Sequence, residues 1–504
     1  MPAPATASTA LPPTLVPSVI GGRRVVGHGA RLPVFDPARG VVIAEVAEAD
    51  AGEVDSAVAA ARHAFETTGW PRLPVEARQA TLLRIADAIE AAASELAVLE
   101  CAALGVVLRE LRERHMKRAA MNFRFFAEVI GQARGEVYDQ TPGYRSFVVR
   151  EPVGVAALIA PWNAPVALAS MKVAAALAFG NACVVKPSEQ TPLALLRFVD
   201  ILHEAGLPEG LVNLVNGRGA VTGAALVAHA GVDLISFTGG TGTGRAIAAE
   251  AGRRLRPVTM ELGGKSANVI FASADLDRAL DAALVGIYSN NGQQCLAGSR
   301  ILLERSIADG FIARFLARAR ALRVGDPTRE DTELGPLASA RHRERVLGFA
   351  DAARREGATL LAGGKAASLP GNLAGGYFVE PTAILAPSPD LLAVREEIFG
   401  PFASFLVFDT YEEAIRLANA TDFGLVAYVW SDHLPTVERA TRDLAAGVVW
   451  VNTPMVRELR APFGGWKDSG LGREGGEACL RFYTEEKTVT VPSAPVTIRK
   501  IGLG

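Results

Sequence analysis

The sequence predicts an α/β fold with more than one domain, and three observations carry that reading. From Val153 onward, short apolar runs alternate with amphipathic stretches and Gly-rich turns, the texture of βαβ units. The composition, 49% hydrophobic with 50 Gly and 29 Pro in 504 residues, is that of an ordered chain able to bury several cores. Cys101, Cys183, Cys295 and Cys479 have no short paired spacing, so neither a disulfide framework nor a CxxC metal site organises the chain.

Residues 1–17, MPAPATASTALPPTLVP, lack an apolar period and read as a loose, disordered tail. Val19 to Val46 is a set of short β-prone runs broken by GGRR and DPARG, which predicts antiparallel hairpins. Asp50 to Phe65, Pro74 to Ala93 and Leu108 to Ile130 carry apolar residues at helical spacing, and Gly135 to Glu151 alternates as a strand with one solvated face does. Then VGVAALIA, ACVVK, GLVNLV and VDLISF read as strands, separated by helices in ALASMKVAAALAFG, TPLALLRFVDILHEAG and VTGAALVAHA; GTGRAIAAEAG is the helix that follows. Right-handed crossovers of this kind build a parallel sheet covered on both faces, with ligands at the carboxyl ends of its strands. VTMELGGKSANVIF adds two strands, ADLDRALDAALVGIYSNNGQQC a helix that runs to Cys295, and residues 301–455 a second α/β domain. FYTEEKTVTV closes the chain as a β-prone run free to pair with another strand.

A net charge of -2 with no basic stripe excludes nucleic acid as the main partner. No apolar run has the length of a membrane span, and no basic n-region precedes the N-terminal apolar stretch, so the chain reads as soluble and cytoplasmic. Seven histidines without HExxH or zinc spacing predict no metal, which leaves the chemistry to side chains or an organic cofactor.

Cys295 stands in YSNNGQQCLAGSR among small and polar neighbours, where a thiolate can act as a nucleophile; isolated cysteines are more often buried and inert. Glu261 ends an apolar run at a Gly-Gly turn, which raises a carboxyl pKa towards that of a general base unless Lys265 pairs with it. Thr238, Gly239, Gly240 and Thr241 mark a strand meeting a helix N-terminus, suited to a pyrophosphate or simply to a tight turn. The usual GxGxxG fingerprint is absent: Gly217, Gly219 and Gly223 miss its spacing by one residue.

Seven motifs in order, PWN at 161–163, KPSE at 186–189, FTGG at 237–240, ELGGKS at 261–266, GQQC at 292–295, EEIFGP at 396–401 and PFGGWKDSGLGRE at 462–474, make the chain resemble the aldehyde dehydrogenase superfamily. The resemblance runs from about Ile20 to Val491. It implies a Rossmann-like cofactor domain (18–134 and 153–263), an α/β catalytic domain (264–463) and a β-strand oligomerisation projection (135–152 and 480–497) joining subunits into homodimers or homotetramers. It also implies Cys295 as the nucleophile, Asn163 as oxyanion donor with the Cys295 amide, and Glu261 as the base that activates water. Lys172 and Glu474 would assist proton movement. Lys186, Ser188 and Glu189 would hold the adenosine ribose and Glu397 the nicotinamide ribose, with Trp162, Thr238, Gly239, Gly240 and Phe399 shaping the site. A carboxylate at Glu189 would repel an added phosphate, so NAD is preferred over NADP.

The substrate signal is NTPMVRELRAPFGG, where Arg457 and Arg460 stand in a stretch that many relatives line with aromatic residues. Arginine suits carboxylates. With Arg118 and Gln294, this segment makes the chain similar to the 5-carboxymethyl-2-hydroxymuconate, 2-hydroxymuconate and 2-aminomuconate semialdehyde dehydrogenase branch. The resemblance then implies a small-molecule aldehyde bearing carboxylates. A broad dehydrogenase of neutral aldehydes and a silent binding protein of the same fold stand as alternatives.

Overall fold

The computed structural model describes residues 14–502. Residues 1–13, most of the expected tail, lie outside the described residues, but Thr14–Val16 is a strand paired in parallel with Val41–Ala47, which also takes Arg31–Asp36 as an antiparallel partner.

The first large sheet has eight strands. Its order is Gly470–Leu471, Val258–Glu261, Leu234–Thr238, Val155–Ile159, Ala182–Lys186, Val212–Leu214, Ser18–Ile20, Arg23–Val25. The five from Val258–Glu261 to Val212–Leu214 are parallel. Val155–Ile159 and Ala182–Lys186 are buried at every position because helices cover both faces. From Val155–Ile159 the chain steps one way to Ala182–Lys186 and then back past it to Leu234–Thr238, so a crevice opens at the carboxyl ends of those strands.

Ala51–Thr67, Val75–Ala91 and the run from Leu108 through Lys117–Ile130 are helices as the apolar spacing predicts. Asp50 and Glu53 form a reciprocal N-terminal cap on the first. A further helix, Ala93–Leu104, was not expected: Ala92 continues the preceding helix with only a slight break, and one apolar period spans both.

The second large sheet has seven strands, Thr359–Ala362, Thr382–Leu385, Phe402–Phe408, Arg300–Glu304, Ala267–Ile270, Val426–Trp430 and Val448–Val451, all parallel except the first pair. A further three-stranded sheet stands apart. In it Tyr144–Pro152 pairs antiparallel with Thr484–Pro492 and with Val137–Tyr138.

Candidate active site

A cavity of about 980 Å³ occupies the crevice, at the upper end of the range for small-molecule sites. Strand ends of the first sheet supply Trp162, Asn163, Lys186, Ser188, Glu189, Thr238, Gly239, Gly240 and Glu261, while the second half of the chain supplies Cys295, Glu397, Phe399, Phe463 and Glu474. Both halves are needed to form it.

The turn before Cys295 is built from left-handed residues. Helix Leu276–Tyr288 is followed by Asn290 at φ 53°, Asn291 at φ 55° and Gly292 at φ 73°, a sequence of conformations that Asn and Gly tolerate best. A Cβ at Gly292 would stand 2.2 Å from the Gly400 carbonyl, so only glycine fits. Side chains then lock the turn. The Gln293 carbonyl accepts from Asn163 Nδ2 at 2.9 Å and from Asn290 Nδ2 at 2.8 Å, and Gln293 Oε1 accepts from the Ala338 amide at 2.9 Å. Cys295 emerges half-buried into the cavity, whereas the other three cysteines are buried. Behind it, a Cβ on Gly264 would lie 2.5 Å from the Cys295 carbonyl oxygen. Gly264→Ala is therefore expected to push the nucleophile's turn into the cavity and lower kcat by at least about tenfold, since misplacement of about 1 Å can cost about 100-fold; steady-state kinetics on folded protein checks this.

Glu261 ends its strand 6% exposed, and neither carboxylate oxygen has a hydrogen-bond partner among the described residues. The ion pair with Lys265 that the sequence left open does not form. Burial drives the Glu261 carboxyl well above the ordinary range, with the nearby Glu474 charge adding to it and Lys172, Arg457 and Arg473 opposing it. Burial likewise pushes the Cys295 thiol up to about 12, reinforced by Glu397 and Glu261. The thiol thus holds its proton at rest. Lys172 Nζ donates to Glu474 Oε1 at 2.7 Å and to Ser236 Oγ at 2.9 Å, a buried link that carries a cation to the cavity wall.

Elsewhere in the cavity, Glu397 Oε1 accepts from the Gly264 amide at 2.8 Å, and burial raises its carboxyl to about 7. The Trp162 ring meets Phe399 edge-on at 5.2 Å and His342 at 5.4 Å. Phe399 is held at φ 64°, and its carbonyl accepts from His342 Nε2 at 2.6 Å; burial lowers the His342 pKa to about 4, so the ring is neutral. His342 and Arg345, whose guanidinium donates to the Glu397 carbonyl at 2.7 Å, were missed in the sequence because nothing in helix Ala340–Arg355 marks them beyond ordinary surface charge.

The substrate candidates separate. Arg457 stacks with its guanidinium carbon 4.5 Å from the Phe463 ring centroid and donates to the carbonyls of Glu458, Ala461 and Glu474. Arg118 donates to Asn122 Oδ1 at 2.8 Å, and burial, then Arg457, lowers its pKa to about 10. Neither makes an ion pair with a carboxylate among the described residues. Arg457 and Arg118 are not among the residues that line the cavity, and Arg460 is a correction: its side chain is 80% exposed, grips Glu458 at both carboxylate oxygens, 2.8 Å each, and does not line the cavity either. Gln294 is another: Nε2 donates to the Gly286 carbonyl at 3.2 Å, so the side chain turns back to the preceding helix and does not line the cavity.

A model of the aldehyde dehydrogenase family matches residues 25–489. The chain is 44% identical to the 5-carboxymethyl-2-hydroxymuconate semialdehyde dehydrogenase of Escherichia coli, over 91% of this chain and 97% of that one. It is 42% identical to the 2-hydroxymuconic semialdehyde dehydrogenase of Pseudomonas sp. (strain CF600), over 90% and 95% of the two chains. The NAD+ complex structure of aldehyde dehydrogenase from Bacillus cereus superposes with a TM-score of 0.92 at 39% identity, covering 95% of this chain and 97% of that one. No helix among the described residues is long and apolar enough to cross a membrane.

Proposed function

The chain belongs to the aldehyde dehydrogenase family and oxidises an aldehyde, and from that premise we propose that it uses NAD to convert a carboxylate-bearing, muconate-type semialdehyde to the acid through a cysteine thioester. The observation that carries the chemistry is the meeting of Cys295, Glu261 and Asn163 on one cavity wall.

The residues at the far end of the cavity fit a dinucleotide. Thr238 Oγ1 is buried there without a partner, no atom lies within 4 Å of where a Cβ on Gly240 or Gly242 would stand, and these glycines open the 13-residue helix Thr241–Arg253 whose amides suit a pyrophosphate. Lys186 and Glu189 would hold the adenosine ribose, Ser188 and Gly239 would shape the same end, Glu397 would hold the nicotinamide ribose, and Trp162 and Phe399 would wall the ring. Glu189 disfavours a phosphate on that ribose, so NAD is preferred over NADP. When bound, NAD supplies the acceptor for the hydride.

Cys295 Sγ attacks the aldehyde carbon as its proton is lost to solvent. Asn163 Nδ2 and the Cys295 amide donate to the new oxyanion, each such donor being worth about 3–4 kcal/mol of barrier. Loss of hydride from that carbon leaves a thioester on Sγ. Glu261 then takes a proton from water, the hydroxyl adds to the thioester carbon, and the acid leaves as Cys295 regains its proton. Glu474 and Lys172 carry the released proton away from Glu261. In this reading the first sheet (18–134 and 153–263) is the cofactor domain and 264–463 the catalytic domain, while the paired strands in 135–152 and 480–497 join subunits.

Arg118 and Arg457, half-buried, within each other's field and without an ion pair among the described residues, support the substrate class, because a substrate carboxylate would add to the partial compensation that Glu474 gives them. Arg457→Ala and Arg118→Ala are each expected to lower kcat/KM for 2-hydroxymuconate semialdehyde by about 10–100-fold, the worth of a charge-assisted hydrogen bond, and to leave hexanal within about threefold. Arg460→Ala, an exposed pair, should move neither. Equal losses on both aldehydes would favour a broad dehydrogenase of neutral aldehydes.

A further inference from the structure

Beside the adenosine end of the cavity, Arg218 is tied to Glu48 by every donor that faces it. The Arg218 amide and Nε each donate to Glu48 Oε1 at 2.9 Å, and a terminal nitrogen donates to Oε2 at 2.6 Å. The Glu48 side chain is only 3% exposed, that of Arg218 49%. The pairing holds the Glu48 carboxyl below its ordinary range, so it stays charged at neutral pH. Arg218 immediately precedes Gly219 and Ala220, which line the cavity along with Lys186 and Glu189. Its guanidinium lies within the field of Glu189, and Lys186 within that of Glu48.

These four groups therefore form one cluster of two cations and two carboxylates, neutral as a whole. Lys186 is buried with Nζ 3.5 Å from Glu189, and Arg218 is bound to Glu48. Arg253, which also lines the cavity, pairs with Glu250, so among the described residues no cation of this cluster or beside it is left free for a phosphate carrying about two negative charges. A simple structural tie between the loop after Val41–Ala47 and the loop after Val212–Leu214 needs no arginine next to the cavity, yet this one directly precedes two residues that line it.

We propose that Glu48 is a specificity-determining positioning residue: by clamping Arg218 it withholds a half-exposed cation that would otherwise accept a 2′-phosphate, and so enforces NAD over NADP alongside Glu189. The proposal rests on the reading of Lys186 and Glu189 as the adenosine ribose site. It assigns the discrimination to two layers, a carboxylate that repels the phosphate and a second that keeps an arginine from attracting it.

The test is calorimetric binding of 5′-AMP and adenosine 2′,5′-bisphosphate to the full-length protein, with NAD and NADP kinetics as a companion. Glu48→Gln, which keeps the side chain's shape, should tighten the bisphosphate at least about tenfold at low salt and leave 5′-AMP within about threefold. Adding Arg218→Ala to that variant removes both charges and should abolish the gain. A purely structural clamp would change both nucleotides together in both variants, and that result would overturn the proposal. Glu189→Gln in the parent chain separates the premise: it should also favour the bisphosphate. If Glu189→Gln moves the ratio and Glu48→Gln does not, the clamp fails alone; if Glu189→Gln leaves both affinities unmoved, the ribose assignment fails and takes the proposal with it.

Discussion

Replacing Cys295 by alanine is expected to reduce aldehyde oxidation by at least about 10⁴-fold, with NAD binding retained. Removal of a covalent nucleophile in a site that acts as a unit has cost about 10⁶-fold elsewhere, and little here could substitute. Cys101 and Cys479 are buried with thiols pushed up to about 12, and Cys183 is raised by burial as well. The Cys479 sulfur also accepts from the Gly475 amide at 3.1 Å, an interaction made inside its own loop. NADH formation measures the loss, and intact mass after a substrate pulse should show an acyl adduct on the parent protein and none on the variant. Retention of activity within tenfold would remove the thioester from the mechanism.

Glu261→Gln should separate the two halves of the reaction. Steady-state turnover is expected to fall by about 10²–10⁴-fold, the range for loss of a positioned base, while a burst of about one NADH per site persists because hydride leaves before water attacks. Loss of the burst too would move the main role of Glu261 to the thiol. The parent's turnover should rise with pH through the raised Glu261 pKa, and the glutamine variant should be flat across that range. Stability runs the opposite way. A carboxyl whose folded pKa lies above its unfolded value makes the folded state bind more protons, so stability falls as pH rises from the unfolded pKa through the folded one. Above that window, every tenfold difference in proton affinity between the folded and unfolded carboxyl costs about 1.4 kcal/mol. Glu261→Gln removes an unpartnered buried carboxylate, so its Tm should exceed the parent's at pH 8 and approach it at pH 5, which calorimetry can check.

Period and punctuation made most of the scaffold readable. Helices such as Pro165–Ala178, halted before Gly180 at φ 87°, and strands buried on both faces announce themselves in local sequence. The site was readable where a single residue sits in an odd setting, as Cys295 does among Asn, Gln and Gly or Glu261 does at a Gly-Gly turn. What stayed hidden depends on partners far apart in the chain. His342 matters through the Phe399 carbonyl, 57 residues along the chain. Arg218 reads as an ordinary turn residue until the fold brings Glu48 to it.

The antiparallel strand Gly470–Leu471 closes the first sheet against Val258–Glu261, setting Gly470 beside Glu261. On the ribosome those two strands are separated by roughly two hundred residues of synthesis, about 10–40 s at the usual elongation rate. Until the later segment emerges, the strand carrying Glu261 is the open border of an otherwise assembled sheet, the kind of exposed edge that recruits foreign strands. The nascent chain thus passes through a long interval in which it is half folded and sticky, and chaperone demand should peak then, well before the last residues are made.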